Sequence, residues 1–245
     1  MNSADLKYQQ RLKTRARILD AARTIVSQSG YTALSMRRLA QAVNYSPAAL
    51  YMHFASREEI ALTLRDEARL ALIDALLAAL PTAAPTPIPE PRPEAHSSAA
   101  PRRSRLGAPL ESTPLLRLGH AWLAFARTYP HHYQLALLEP LAATSLSTSL
   151  ATAVTTATTS SIAGLLQPIL AAVEASPALA AHKTQRRSSV YRRALQTHAE
   201  WAMATLHGIA SLALVQPDLL DHGAESLLDA VLPALERGPL QWLPT

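Results

Sequence analysis

Nine of the chain's 18 prolines fall between Pro81 and Pro114, in a stretch that also holds Ser, Ala, Thr and four Arg. Proline has no backbone N–H to give a helix or sheet interior, and its ring clashes with the preceding turn. So dense a cluster cannot pack as a helix and buries too little to offset its own ordering, which makes 81–113 an expected linker or disordered insertion. It separates two stretches rich in Ala and Leu, residues that favour helix. Only seven Gly and two Phe occur in 245 residues, so a β-rich fold is not expected. The absence of Cys removes disulfides, thiolate metal sites and thiol nucleophiles. The start, MNSADLKYQQRLKTRARILD, is polar and charged, unlike a signal peptide. No run of about 18 apolar residues free of charge or Pro predicts a membrane span.

Periodicity places the helices. Ile18, Ala22, Ile25 and Val26 predict one over 7–29, with Gly30 as its terminator. Ser35 is placed to cap a short helix over 35–42, with Leu39 and Val43 inward. Asn44 stands where a left-handed residue is wanted. Ser46 caps a second short helix whose first position is Pro47, and Ser56 with Glu59 forms a capping box opening a helix over 56–80. Beyond the Pro-rich stretch, helices are expected over 115–129 and 130–139, and in the second half of 144–174, bent or broken at Pro168. Further helices are expected over 186–216 and from Pro217 to Glu236.

Charge is unevenly spread. Residues 1–60 hold nine Lys or Arg against four acids, a balance of 9 − 4 = +5, which equals the net charge of the whole chain. A small polyanion-binding head on a neutral body is expected from that distribution, although a solvated basic helix face has the same composition.

The unit from Leu34 to Phe54 reads as a helix-turn-helix. Leu39, Ala40, Val43, Leu50 and Phe54 suit the contact between its helices, while Arg37, Arg38, Tyr51, Met52 and His53 take more polar positions. A second helix of this size fits the major groove with its first turn at base edges. An ordinary helical hairpin would show much the same pattern.

The wider pattern resembles the TetR family of bacterial transcriptional repressors. The residues that carry the resemblance are R-x-x-I-L-D-A-A at 15–22, S-G-Y-T-A-L-S-M-R-R-L-A at 29–40, and A-x-L-Y-x-H-F at 48–54 followed by Ser56, Arg57 and Glu58. Asn44 stands where Gly is usual, Tyr45 where a small aliphatic is usual, and Arg57 in place of Lys. By position, the resemblance implies that Arg37 reaches a guanine edge and Ser35 a phosphate. It implies a groove-facing surface of Pro47, Ala48, Ala49, Tyr51 and Met52 behind the cap Ser46, and phosphate contacts from Tyr51, His53 and Arg57. Pro47, Ala48 and Ala49 carry no side-chain donors, so thymine methyl contacts are expected to supply part of the readout.

The C-terminal half is similar to one TetR subgroup in its Trp201, His207 and Gly208 pattern, and in Phe125-Ala126 with Pro130 and Tyr133. The resemblance implies an effector pocket, for which the candidates are Trp122, Phe125, Tyr129, Tyr133, Trp201, Met203 and His207. It also implies a four-helix dimer interface, for which Leu220, Ala224, Leu227, Leu228, Val231 and Leu235 supply an apolar stripe. Any one of these residues could equally be ordinary core. His131 and His132 point about 100° apart on a helix, and no two His are spaced i, i+4 with a carboxylate partner, so no metal site is expected. G-x-S-x-G, P-loop, G-x-G-x-x-G and H-E-x-x-H are all absent from the sequence, so neither an enzyme nor a cofactor is expected.

The expectation is therefore an all-α cytoplasmic homodimer. Residues 1–56 would form a three-helix DNA-binding domain and 57–80 a connecting helix, with 114–245 forming an effector-binding and dimerisation domain. Its partners would be double-stranded operator DNA, a second copy of itself, and a small apolar or amphipathic molecule that releases the operator. Two other readings remain: a regulator governed by protein partners through the Pro-rich segment, and a helical enzyme or lipid-binding body with an appended head.

Overall fold

The computed structural model describes residues 3–80, 113–139, 164–176 and 188–237. Among these every regular element is helical. The Pro-rich expectation at 81–112 and the first part of 144–174 lie outside the described residues.

The head is built from α1 (Ser3–Ser29), α2 (Met36–Val43), α3 (Pro47–Tyr51) and the start of α4 (Arg57–Ala79). Its core gathers Ile18, Ala22, Val26, Leu39, Leu50 and Phe54 with Ile60 and Leu64 of α4. The first third of α1 projects beyond that core, with Leu6, Tyr8 and Leu12 exposed.

The body is built from α5 (Pro114–Thr128), α6 (Pro130–Tyr133), a helix α7 over 164–174, α8 (Ser189–Val215) and α9 (Gly223–Arg237). Helix α7 runs on through Pro168. The segment expected as one helix over 130–139 is instead a single α turn followed by a π-helical turn, Gln134–Leu138. The last helix begins at Gly223, later than Pro217, because Pro217–Leu219 forms a separate 3-10 turn. In the body core, α5 crosses α9 at Gly119, where an added Cβ would stand 2.4 Å from Leu232 Cδ1.

Two features join head and body. Helix α4, about 34 Å long at 1.5 Å per residue, gives Leu64 to the head core and Leu72 and Leu76 to the body core. The π turn is divided in the same way. Leu135 is buried in the head core, while Leu137 and Leu138 pack on the body core. Helix α6 closes against the end of α1, where Gly30 (φ +75°) leaves His131 Nδ1 at 3.3 Å from the position a Cβ would take.

Candidate functional site

Local chemistry builds the helix-turn-helix. Ser35 Oγ accepts from the Arg38 N–H at 3.2 Å and starts α2. Asn44 ends it in the left-handed region, at φ 58° and ψ 46°, and its N–H bonds to the carbonyls of Ala40 and Gln41. Asn is among the non-glycine residues that reach this conformation most readily, so the turn forms without Gly. Ser46 Oγ accepts from the Ala49 N–H at 3.1 Å, and Pro47 occupies the first turn, where no N–H is needed.

The α2–α3 unit turns one face to solvent. Ser35, Arg37, Pro47 and Ala48 are exposed there, as are Tyr51 at 55% and Met52 at 74%, and Ala49 is half-buried. Arg37 has no ion pair among the described residues, so its guanidinium is available to a partner. Arg57 is differently placed. It lies 4.7 Å over the Tyr31 ring and bonds to Glu58 Oε1 at 3.2 Å, and its Nη1 stands 3.5 Å from the Leu34 carbonyl. His53 is half-buried, its Nδ1 lacks a partner, and burial followed by the charges of Arg11 and Arg15 lowers its pKa. The neutral imidazole is therefore the favoured form at neutral pH.

Composition counts Arg15 only as one of the basic residues, but the structure gives it a positioning role. Its guanidinium covers the Phe54 ring at 3.9 Å, donates to the His53 carbonyl and pairs with Glu59 at 3.2 Å. Glu59 in turn accepts from the Ala55 N–H at 2.7 Å, and Ser56 Oγ accepts from the Glu59 N–H at 3.2 Å. One arginine of α1 thus ties the end of α3 to the start of α4. Arg17 lies 5.8 Å over the Tyr45 ring, with Nη2 at 3.5 Å from the Val43 carbonyl.

The body holds a cavity of about 230 Å³ between α4, α5, α7 and α8, lined by Arg69, Trp122, Leu137, Leu165, Met203 and His207 among others. Three of the expected pocket residues meet there, and a fourth, Tyr133, stands directly behind. Trp122 Nε1–H donates to Tyr133 Oη at 3.1 Å, and Tyr133 Oη lies 2.9 Å from His207 Nδ1. An indole only donates, so the Tyr133 hydroxyl keeps its own proton for a second partner, with His207 Nδ1 and Ser211 both beside it. Burial lowers the His207 pKa and pushes that of Tyr133 up to about 12, so both stay neutral.

Three other candidates, Trp201, Tyr129 and Phe125, do not line this cavity. Trp201 is 53% exposed on the outer face of α8, where it lines a different groove of about 480 Å³ with Val190, Ala194 and His198. Tyr129 is 50% exposed, and Phe125 stacks beside it at 5.4 Å within the body core rather than on the cavity. The cause is rotation about the helix axis: positions that look equivalent by residue type fall on opposite faces once a neighbouring helix covers one of them. The dimer stripe divides likewise. Ala224 and Leu228 are only 1% exposed within this single chain, packed in its core, so they have no surface for a partner. Leu220, Leu227, Val231 and Leu235 remain half-buried.

Residues 18–64 match the family described as bacterial regulatory proteins, tetR family. That match spans the helix-turn-helix and the start of α4, so the head is similar to the N-terminal domain of that family. Over 58 residues the chain is 43% identical to the HTH-type transcriptional regulator UidR of Escherichia coli K12, a match that covers 23% of this chain and 30% of UidR. The chain therefore spans less than a third of the length of the curated relatives it matches. The whole chain shares a fold with SCO4313, at TM-score 0.58 and 24% identity over 93% of this chain and 97% of that one. It shares the fold also with a tetR-family regulatory protein from Rhodococcus RHA1, at TM-score 0.53 and 14% identity over 92% and 96%. A third structure of this fold is FadR from Bacillus subtilis in complex with stearoyl-CoA, at TM-score 0.54 and 12% identity over 91% and 98%. At such identities the likeness carries the fold alone, here of the helical head together with its helical body.

Sequence reasoning overlooked Arg69 in the body. A signal was present, because Arg65 and Arg69 fall on the same helical stripe as Leu72 and Leu76, the buried face of α4. Among the described residues no cluster of three His, Cys, Asp or Glu could hold a metal, and no helix is long and apolar enough to cross a membrane.

Proposed function

We propose that the chain is a transcriptional regulator that binds operator DNA as a homodimer through its TetR-family heads and releases it when a small apolar or amphipathic molecule enters the body. One observation carries this reading: the cavity and the head share the turn Gln134–Leu138. Leu137 lines the cavity, the Ala136 carbonyl accepts from Arg69 Nε at 2.9 Å, and Leu135 sits in the head core. A molecule that moves Leu137 or Arg69 therefore acts on a segment that the head needs for its packing. Cores are bistable rather than continuously deformable, so a small shift at this turn favours a different seating of the head. Two heads must reach major grooves about 34 Å apart or a multiple of it, and a modest pivot removes one of them.

Support for DNA as the partner comes from the exposed Arg37, Tyr51 and Met52 beside Pro47 and Ala48, on a head that holds all of the excess positive charge. Support for a second copy comes from the half-buried Leu227, Val231 and Leu235 next to the exposed Leu212, Val215 and Leu219. Support for a ligand comes from the cavity and from FadR, a protein of the same fold solved with stearoyl-CoA.

Footprinting on the DNA upstream of the chain's own gene tests the reading. Protection of two half-sites is expected, with affinity falling by roughly 10³ or more between 50 and 200 mM salt if each head neutralises several phosphates. Absence of protection, or a flat salt response, refutes DNA binding by the head.

A further inference from the structure

Arg69 is the least expected residue in the body. It is 6% exposed, in the middle of α4, and lines a cavity whose other walls are Trp122, Leu137, Leu165, Met203, Ala204 and His207. Its Nε is satisfied by the Ala136 carbonyl at 2.9 Å, but its Nη1 is buried with no hydrogen-bond partner. The nearest carboxylate on its own helix, Asp66, stands 3.7 Å from Nη1, too far for a hydrogen bond, and its Oδ1 is itself without a partner. A guanidinium brought out of water with an N–H unpaired is costly, and a carboxylate is the group that best repays it through charge-assisted bonds. His207 lines the same cavity with Tyr133 Oη at 2.9 Å from its Nδ1, and burial favours its neutral imidazole, a second polar group on the wall.

We propose that this cavity receives an amphipathic carboxylate, its head held by the Arg69 guanidinium and the His207 imidazole and its apolar part lying against Trp122, Leu165 and Met203. Burial and the charge of Arg65 lower the Arg69 pKa against the opposing pull of Asp66, which pairs with Nη1 at 3.7 Å without a hydrogen bond, so an anion entering the cavity competes with a loose ion pair. With liquid water at about 30 Å³ per molecule, 230 Å³ admits a ligand on the order of ten non-hydrogen atoms. The same carboxylate would compete with the Ala136 carbonyl for Arg69, and so would pull on the turn that Leu135 anchors in the head. This inference rests on the ligand-responsive reading and adds the chemical class of the ligand to it.

The test uses the full chain and three probes with the same eight-carbon chain: octanoate, octan-1-ol and octylamine. Calorimetric titration should show octanoate binding at least about tenfold more tightly than the alcohol, with the amine excluded. Arg69→Met should abolish the preference for the acid while keeping alcohol binding, which also shows that the variant retains a folded cavity. Arg69→Lys should keep a weakened preference. Met203→Trp, which fills the cavity from its wall, should remove binding of both acid and alcohol. Equal binding of acid and alcohol by the unaltered protein overturns the inference, and so does undiminished octanoate binding by Arg69→Met or no binding by any probe. Operator binding is read separately. If octanoate binds through Arg69 but leaves operator affinity unchanged, the anion site stands and the ligand-responsive reading fails.

Discussion

Replacing Arg15 by Met should separate a residue that holds the recognition helix in place from one that touches DNA. Methionine keeps most of the aliphatic stem that lies on Phe54 but removes the guanidinium. Three interactions are lost: the bond to the His53 carbonyl, the contact over the Phe54 ring at 3.9 Å, and the pair with Glu59 at 3.2 Å. A charged donor on a carbonyl contributes about 1 to 1.5 kcal/mol, the ring contact about 0.5 to 1, and a partly exposed pair about 0.5. The expected loss is about 2 to 3 kcal/mol, which for a chain of this size lowers Tm by roughly 4 to 12 °C if it unfolds as one unit. Because no base contact is removed, affinity should fall by the same factor on every single-base variant of the operator. Differential scanning calorimetry, with DNA titrations on such a panel, measures both quantities. An unchanged Tm with weakened DNA binding would show that Arg15 reaches phosphate, and the positioning argument would be wrong.

Arg37→Ala, which breaks no ion pair or side-chain hydrogen bond among the described residues, should leave Tm unchanged and cost about 1 to 3 kcal/mol at one base pair per half-site. Arg57→Ala should weaken all operator variants alike and also lower Tm, since Arg57 packs on Tyr31. Gly119→Ala should destabilise by about 1 to 3 kcal/mol through overpacking against Leu232, offset by about 1 from helix propensity. Combined with Leu232→Ala its cost should shrink or reverse, and strict additivity in urea unfolding would contradict the close crossing. Burial lowers the pKa of His132, His198 and His207 below the usual value near 6.5. The unfolded chain then takes up protons that the folded one refuses. Stability is full above about pH 6.5 and is lost as pH falls through 6.5 toward the folded pKa values. A Tm unchanged between about pH 7.5 and 5 would contradict this.

The head was legible because its signals are local. A cap needs its acceptor within three residues of the N–H it serves, and Ser35, Ser46 and Ser56 all do so in the structure as the spacing requires. The turn at Asn44 is a property of one residue's allowed dihedrals. The body was less legible because apolar residues dominate there, and residue type does not say which neighbour covers them. Trp122 and Trp201 illustrate this. Both lie on Ala- and Leu-rich helices, yet one is 1% exposed beside the cavity and the other lies on the opposite side of its helix, facing solvent.

From the sequence alone follow the helical class, the basic head, and the caps and turn that make a helix-turn-helix. Each depends on interactions within a few residues, or on composition, which no fold alters. Only the tertiary structure places Arg15 across the end of α3, Arg69 at the cavity, and Leu135 and Leu137 on opposite sides of one turn. Those contacts join residues 38 to 67 positions apart, or depend on which face of a helix a distant one covers. Chain folding decides such pairings by burying whole faces at once, and no short-range pattern records the outcome.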